Sequence, residues 1–251
     1  MAKKNFFVNG VGTGYLIAKD GTLLPLMDMQ DMTIEINSTM EQVYGGDALF
    51  AIYTYIKEKS AQFTFTNASF SLDMLKISQG ATINTGGEVF GDDNILVTAG
   101  AGTLTAASGV DVSSVVVVED VTGKVYSKVA SSPSTGQFTV TTGGVMGFAT
   151  ADNGKELKVS YIFTDATAET ADILTTSVPG FVELRHKSQP IEQPDGSKVE
   201  IHTRVFKARS DGKINIDFKR GNAYAPKMSF VSVDPQRNDK RFVSVVQRNV
   251  A

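Results

Sequence analysis

His186 and His202 are the only imidazoles in this 251-residue chain. A histidine pair can hold a metal ion when carboxylates stand nearby, and a histidine beside a serine can act as its base. No further ligand is obvious near either residue, and no Gly-x-Ser-x-Gly elbow prepares a serine. A solvated or interface role is expected for both, although they could face each other across a hairpin. Gly10-Val-Gly-Thr-Gly14 has the glycine density of a nucleotide loop. The dinucleotide fingerprint, however, needs a strand before and a helix after, and Tyr15 stands where the third glycine belongs. A flexible N-terminal arm is expected instead. Gly91-Asp-Asp-Asn94 could present oxygens to calcium but lacks the regular spacing of calcium loops, so a solvated loop is expected. Nothing singles out two glycosidase-type carboxylates among 27 Asp+Glu. Cysteine is absent, which removes disulfides, thiolate nucleophiles, zinc–cysteine sites and iron–sulfur clusters. No catalytic, cofactor-binding or metal-binding residue is assigned, no cofactor is expected, and the chain reads as a non-enzyme.

The elements that must position these residues are mostly strands. Period-two alternation runs through 33–37, 62–66, 199–205 and 213–219, where Ile214, Ile216 and Phe218 share a face. Asp20-Gly21 is expected to turn a hairpin between 15–18 and 23–26. Pro194-Asp-Gly196 turns another between 181–188 and 198–206, and Asp211-Gly212 turns the next. Pro226 and Asp234-Pro235 bracket the run 227–233. One helix stands out: Ser71 can cap it, Asp73 lies in its first turn, Gly80 fits its C′ position, and Phe70, Met74 and Ile77 share a face with Leu75 beside them. A second short helix is expected at about 168–175. Residues 82–109 are rich in Gly, Thr, Ala and Asn. Strands are then expected at 115–119, 124–129, 137–141 and 157–163, followed by a polar linker over 165–178. The fold class is mainly β, a β sandwich with one flanking helix. Residues 1–81 and 179–251 form one discontinuous domain, and 82–178 is an inserted β module.

Composition narrows the function. With 24 Lys+Arg against 27 Asp+Glu the net charge is −3, too close to neutral for a broad nucleic-acid-binding or membrane-surface face. No signal peptide and no apolar run of spanning length is visible, so a protein made and assembled in cytosol is expected. The absence of Trp argues against a sugar-stacking lectin surface. The row Glu200, His202, Arg204 lies next to another row, Lys213, Asn215, Asp217, Lys219. Such mixed-sign rows suit either a solvated sheet face or a face that meets another copy, where charges fix register.

The stretch Met32-Thr-Ile-Glu-Ile-Asn37, Val43-Tyr-Gly-Gly-Asp-Ala-Leu-Phe50, Gln62-Phe-Thr-Phe-Thr66, Ser69-Phe-Ser-Leu-Asp-Met-Leu75 and Gly80 resembles the major tail tube proteins of tailed bacteriophages. The segment 211–246 resembles that family's closing strands. The resemblance covers the two ends, about half the chain; the middle exceeds a minimal tube fold and looks like the immunoglobulin-like or other β insertions of phage structural proteins. It implies a structural virion protein, assembled in the host cytoplasm into the tail, whose homohexameric rings stack into a tube for genome ejection, with strands from six subunits closing an inner barrel. It implies that 43–55 belongs to a long loop or hairpin reaching the neighbouring ring, and that 1–14 is an arm. Implied partners are other copies, a tape-measure protein, tail terminator and baseplate proteins, a sheath if the tail has one, and DNA passing without specific binding; no membrane is implied. A head decoration or baseplate protein and a glycan-binding adhesin module are the alternatives.

Overall fold

A computed structural model of the protein describes residues 10–46, 49–193, 196–216 and 225–250. The fold is mainly β, as expected; among the described residues there are several antiparallel sheets and one α-helix, and no sheet closes into a barrel. The chain divides into two compact units, Met1–Ile83 with Ala171–Ala251, and Asn84–Thr170.

In the first unit β1 (Thr13–Ala18) and β2 (Leu23–Leu26) form the expected hairpin. Asp20 accepts the Thr22 N–H at 3.0 Å, and Gly21 takes φ +88°, the positive value a tight turn demands. β3 (Met29–Val43) and β4 (Tyr53–Asn67) pair along almost their whole length. α1 (Leu72–Gln79) follows, with Met74, Leu75 and Ile77 buried. Gly80 adopts φ +72°, its N–H donates to the Lys76 carbonyl and the Ala81 N–H to the Leu75 carbonyl, closing the helix as the sequence predicts. Ser71 holds the N-cap position, but its side chain makes no capping bond.

The second unit contains β5 (Thr82–Leu96), β6 (Ala101–Thr103), β7 (Val110–Glu119), β8 (Ser127–Lys128), β9 (Gln137–Val140), β10 (Val145–Phe148) and β11 (Glu156–Asp172). Two sheets, β5-β11-β7 and β6-β10-β9-β8, share one core of Val117, Phe138, Met146, Leu157, Val159 and Tyr161. That is a small sandwich. Beneath it Asp152, fully buried, accepts from Tyr126 Oη at 3.1 Å and the Gly136 N–H at 3.1 Å and pairs with Lys155 at 2.9 Å. Burial works against the charge of Asp152, yet those bonds outweigh it and hold the carboxyl below its ordinary range.

The chain completes the first unit with β12 (Phe181–Lys187), β13 (Ile191–Glu192), β14 (Lys198–Ile214), β15 (Lys227–Ser232) and β16 (Val243–Val250). The sheet runs β2-β1-β12-β14-β15-β4-β3, with β13 and β16 also on β14. Its inward face carries Leu16, Leu26, Phe63, Phe65, Leu184 and Phe230, covered by Met74 and Ile77 of α1. The Phe63 and Phe230 rings stack at 4.9 Å, and each buried aromatic contributes about 1.5–3 kcal/mol.

Four expectations need correction. Residues 168–172 extend β11 and form no helix, so the linker expected at 165–178 is strand as far as Asp172. Gly91–Asn94, expected as a solvated loop, lies within a 15-residue strand, β5, which tolerates glycine because its inner face lies hard against neighbours: a Cβ on Gly91 would stand 2.3 Å from the Tyr161 ring. Of 124–129 only Ser127–Lys128 is strand. Asp211-Gly212 turns no hairpin. It forms a bulge within β14, where four steps from Ser210 to Ile214 oppose two from Phe230 to Met228. The strand expected at 213–219 ends at Ile214, and its residues 217–219 lie outside the described residues, as does most of the Pro194-Asp-Gly196 turn.

Candidate functional site

The feature that distinguishes this fold is a two-stranded ribbon. β15 accompanies β4 only over Gln62–Thr66, and the Ala61 N–H still reaches Ser232 Oγ at 2.7 Å. Beyond that point the outer edge of β4 has no strand partner among the described residues. The outer edge of β3 has none along its length, because β3 ends the sheet. β16 follows β15 along the same edge of β14: Arg204 and Val205 pair with β12 on one side and with β16 on the other. The sheet therefore forks at Ala61 and Ser232, with β16 on one branch and the ribbon on the other.

Alternation explains what the ribbon displays. Ile34 opposite Phe63 and Ile36 opposite Ala61 continue the core-facing row outward. A bulge between Thr39 and Met40 keeps the row in phase, so Met40 faces Ile56. Phe63 is fully buried, whereas Ile36, Met40 and Ile56 are exposed. On the opposite face Val43 pairs with Tyr53, whose ring stacks on Tyr55 at 6.1 Å. At the tip Leu49 and Phe50 are 92% and 85% exposed, the most exposed large apolar side chains among the described residues of the unit. Apolar rows left uncovered on a ribbon with open edges are the kind of surface that favours association.

The polar rows of β12, β14 and β16 are organised, and one member is misread by alternation. Glu200 is buried rather than solvated, 1% exposed, although it belongs to the row expected outside. Its carboxylate takes His202 Nε2 at 2.8 Å, Lys187 Nζ at 2.9 Å and Arg248 at 3.4 Å, so side chains from three strands cover it. The His202 hydrogen bond, then Lys187, hold this carboxyl below its usual range. Arg204 instead pairs with Glu183, which also binds Arg185. Lys213 and Asn215 lie beyond the Ser210 end of the bulge.

The two histidines do not face each other. The register sets His186 opposite Thr203 and His202 opposite Lys187, which places them on opposite faces of the sheet. His186 Nε2–H donates to the Val11 carbonyl, and burial pushes its pKa down. The glycine run 10–14 is neither a cradle nor, over its described part, a free arm. A Cβ on Gly12 (φ +78°) would stand 2.1 Å from the Lys187 carbonyl, and Thr13 and Gly14 already pair with β12. Residues 1–9 lie outside the described residues. Gly91–Asn94 is strand rather than loop, and both oxygens of Asp93 are occupied, by Thr105 and Tyr161. Among the described residues no group of three His, Asp or Glu side chains could hold a metal ion. Local patterns missed Lys187 and Arg248, which reach Glu200 only through pairings distant in sequence. The tip residues Leu49 and Phe50 stood within the Val43–Phe50 motif, and their exposure is the addition.

A model of the YomU/Tube protein family matches residues 6–245, nearly the whole chain. No curated protein matches it.

Proposed function

We propose, from the premise that the chain belongs to the YomU/Tube protein family, that it is the tube subunit of a phage-type tail. In this reading copies assemble as rings, six to a ring, and the rings stack into a conduit through which DNA passes without specific binding. The protein is a structural virion component and not an enzyme. Its partners are other copies first, then a tape-measure protein within the tube and the terminator and baseplate proteins at its ends.

The observation that carries this is the forked sheet. The open edges of β3, distal β4 and β16 are hazards in a monomer and are satisfied at once when strands of neighbouring copies lie along them. Repetition of one such heterologous contact closes a ring, and a second contact through Leu49 and Phe50 at the ribbon tip stacks rings.

Negative-stain electron microscopy of the purified chain over a concentration series tests this. Stacked rings or hollow tubes with six-fold end views are the expected result. Discrete monomers or trimers at every concentration, with tail-end proteins added as initiators, would overturn it in favour of a decoration protein.

A further inference from the structure

The two units carry opposite charge. Residues 84–170 hold four lysines against ten Asp and Glu (4 − 10 = −6), which leaves 20 cations and 17 carboxylates, +3, on the rest. The excess is not diffuse. On the first unit an open groove of about 460 Å³ runs beside Phe181 and Phe206, with Lys19, Lys207 and Arg237 at its rim. Lys207 Nζ lies 4.4 Å from the Phe181 ring centre, and the Arg204 and Arg237 guanidiniums lie 4.6 and 4.2 Å from that of Phe206. Stacking fixes these cations in place, so the groove has apolar side chains in its lining and a cationic rim, interrupted by Glu183, whose charge Arg185 and Arg204 already hold.

The second unit presents the converse. Glu88, Phe90 and Asp92 alternate along β5 and are all exposed, Phe90 at 81%. Gly91 and the inward Asp93 anchor the strand from behind against Tyr161, so the row is held on a rigid element. Acid, aromatic and acid at i, i+2 and i+4 span about 14 Å on one face.

We propose that the Glu88–Phe90–Asp92 row of one copy docks into the Phe181–Phe206 groove of a second copy, the ring entering the groove and the two carboxylates meeting its cationic rim. A second copy fits better than nucleic acid. Glu183 and Asp239 break the positive surface at short intervals, each held by two arginines, which a continuous phosphate lattice would meet with repulsion. The Phe206 ring is also already engaged by two guanidiniums, which leaves it poorly placed to stack a base. The contact is heterologous, because the two surfaces differ, and so it propagates. It is separate from the ribbon but rests on the self-assembly reading.

Two charge-reversed full-length chains, Lys19→Glu/Lys207→Glu and Glu88→Lys/Asp92→Lys, are compared with the unaltered chain by sedimentation velocity at low and high salt. Each variant alone should need at least about tenfold more protein to associate, and an equimolar mixture should recover association, because every altered groove then finds an altered row of opposite sign. Rescue on mixing also shows that both variants fold. Association of each variant like the unaltered chain overturns the proposal while leaving the tube reading intact, as does a mixture that fails to recover. If the unaltered chain never associates even with tail-end proteins added as initiators, the tube reading falls and this contact with it. Binding of duplex DNA that is lost in Lys19→Glu/Lys207→Glu assigns the groove to nucleic acid instead.

Discussion

Met40 sits directly opposite Ile56 on the β3–β4 ribbon, and the two remain 63% and 49% exposed. Neither packs on the core, so replacing them should leave the monomer nearly unchanged. The pair Met40→Lys with Ile56→Glu places opposite charges across the strands and avoids a like-charge penalty. Stability should shift by no more than about 0.5 kcal/mol at each site, while assembly followed by light scattering should fail. Normal tubes from this variant would show that the ribbon is not an interface.

Phe230 lies between Phe63 and Phe65, with ring centres at 4.9 and 6.0 Å, and is fully buried. Phe230→Ala should cost about 3–5 kcal/mol in denaturant unfolding. A cost under about 1 kcal/mol would mean that β4 and β15 are not packed as described.

Gly80 ends α1 at φ +72°, and a Cβ there would stand 2.4 Å from the Val178 carbonyl oxygen. Gly80→Ala should lose at least about 1–2 kcal/mol from the left-handed backbone alone. Gly80→Asn should still be destabilised: asparagine accepts the dihedral but carries the same Cβ into the clash. If Asn proved as stable as Gly in thermal melts, the Val178 contact would not be as tight as described.

His186 should make the fold sensitive to mild acid. Burial lowers its pKa from the ordinary 6.5, so the folded state binds this proton less readily than the unfolded chain does. Its contribution is then intact above about pH 6.5 and declines as pH falls from there through the folded value. Glu200 acts in a different window. Its lowered carboxyl contributes above the ordinary carboxylate range and is lost only as pH falls below it. Urea unfolding midpoints measured between pH 7 and 5 should therefore flatten in His186→Gln, which keeps an N–H for Val11. An unchanged slope would place the sensitivity elsewhere.

Local chemistry made some of this fold legible and concealed the rest. The β1–β2 turn and the Gly80 stop each depend on two or three adjacent residues, so Asp20-Gly21 and Gly80 announce them. Asp211-Gly212 carries the same local signal as a hairpin turn, but β15 pairs with β14 on both sides of it and converts the turn into a bulge. β5 hides because the Tyr161 ring takes the room a side chain would need at Gly91, so the strand lacks β-branched residues where they would mark it. Glu200 follows the outward phase of β14, and its burial depends on Lys187 and Arg248 from strands that no local window contains. The apolar row of the ribbon was visible as residues; what no pattern showed is that the core ends at Ile34 and Phe63 while the row continues.

Residues 84–170 leave and rejoin the rest of the chain through β5 and β11, which are hydrogen-bonded neighbours, and Thr170 Oγ1 holds the Gly86 carbonyl at 2.7 Å. Two chain ends so close need only a short turn to join them, at small loop-closure cost. The sandwich is thus a cassette. A single genetic event could have brought it in, another could replace it with a foreign domain, and a lattice of such subunits would carry one copy of that cargo for every protomer.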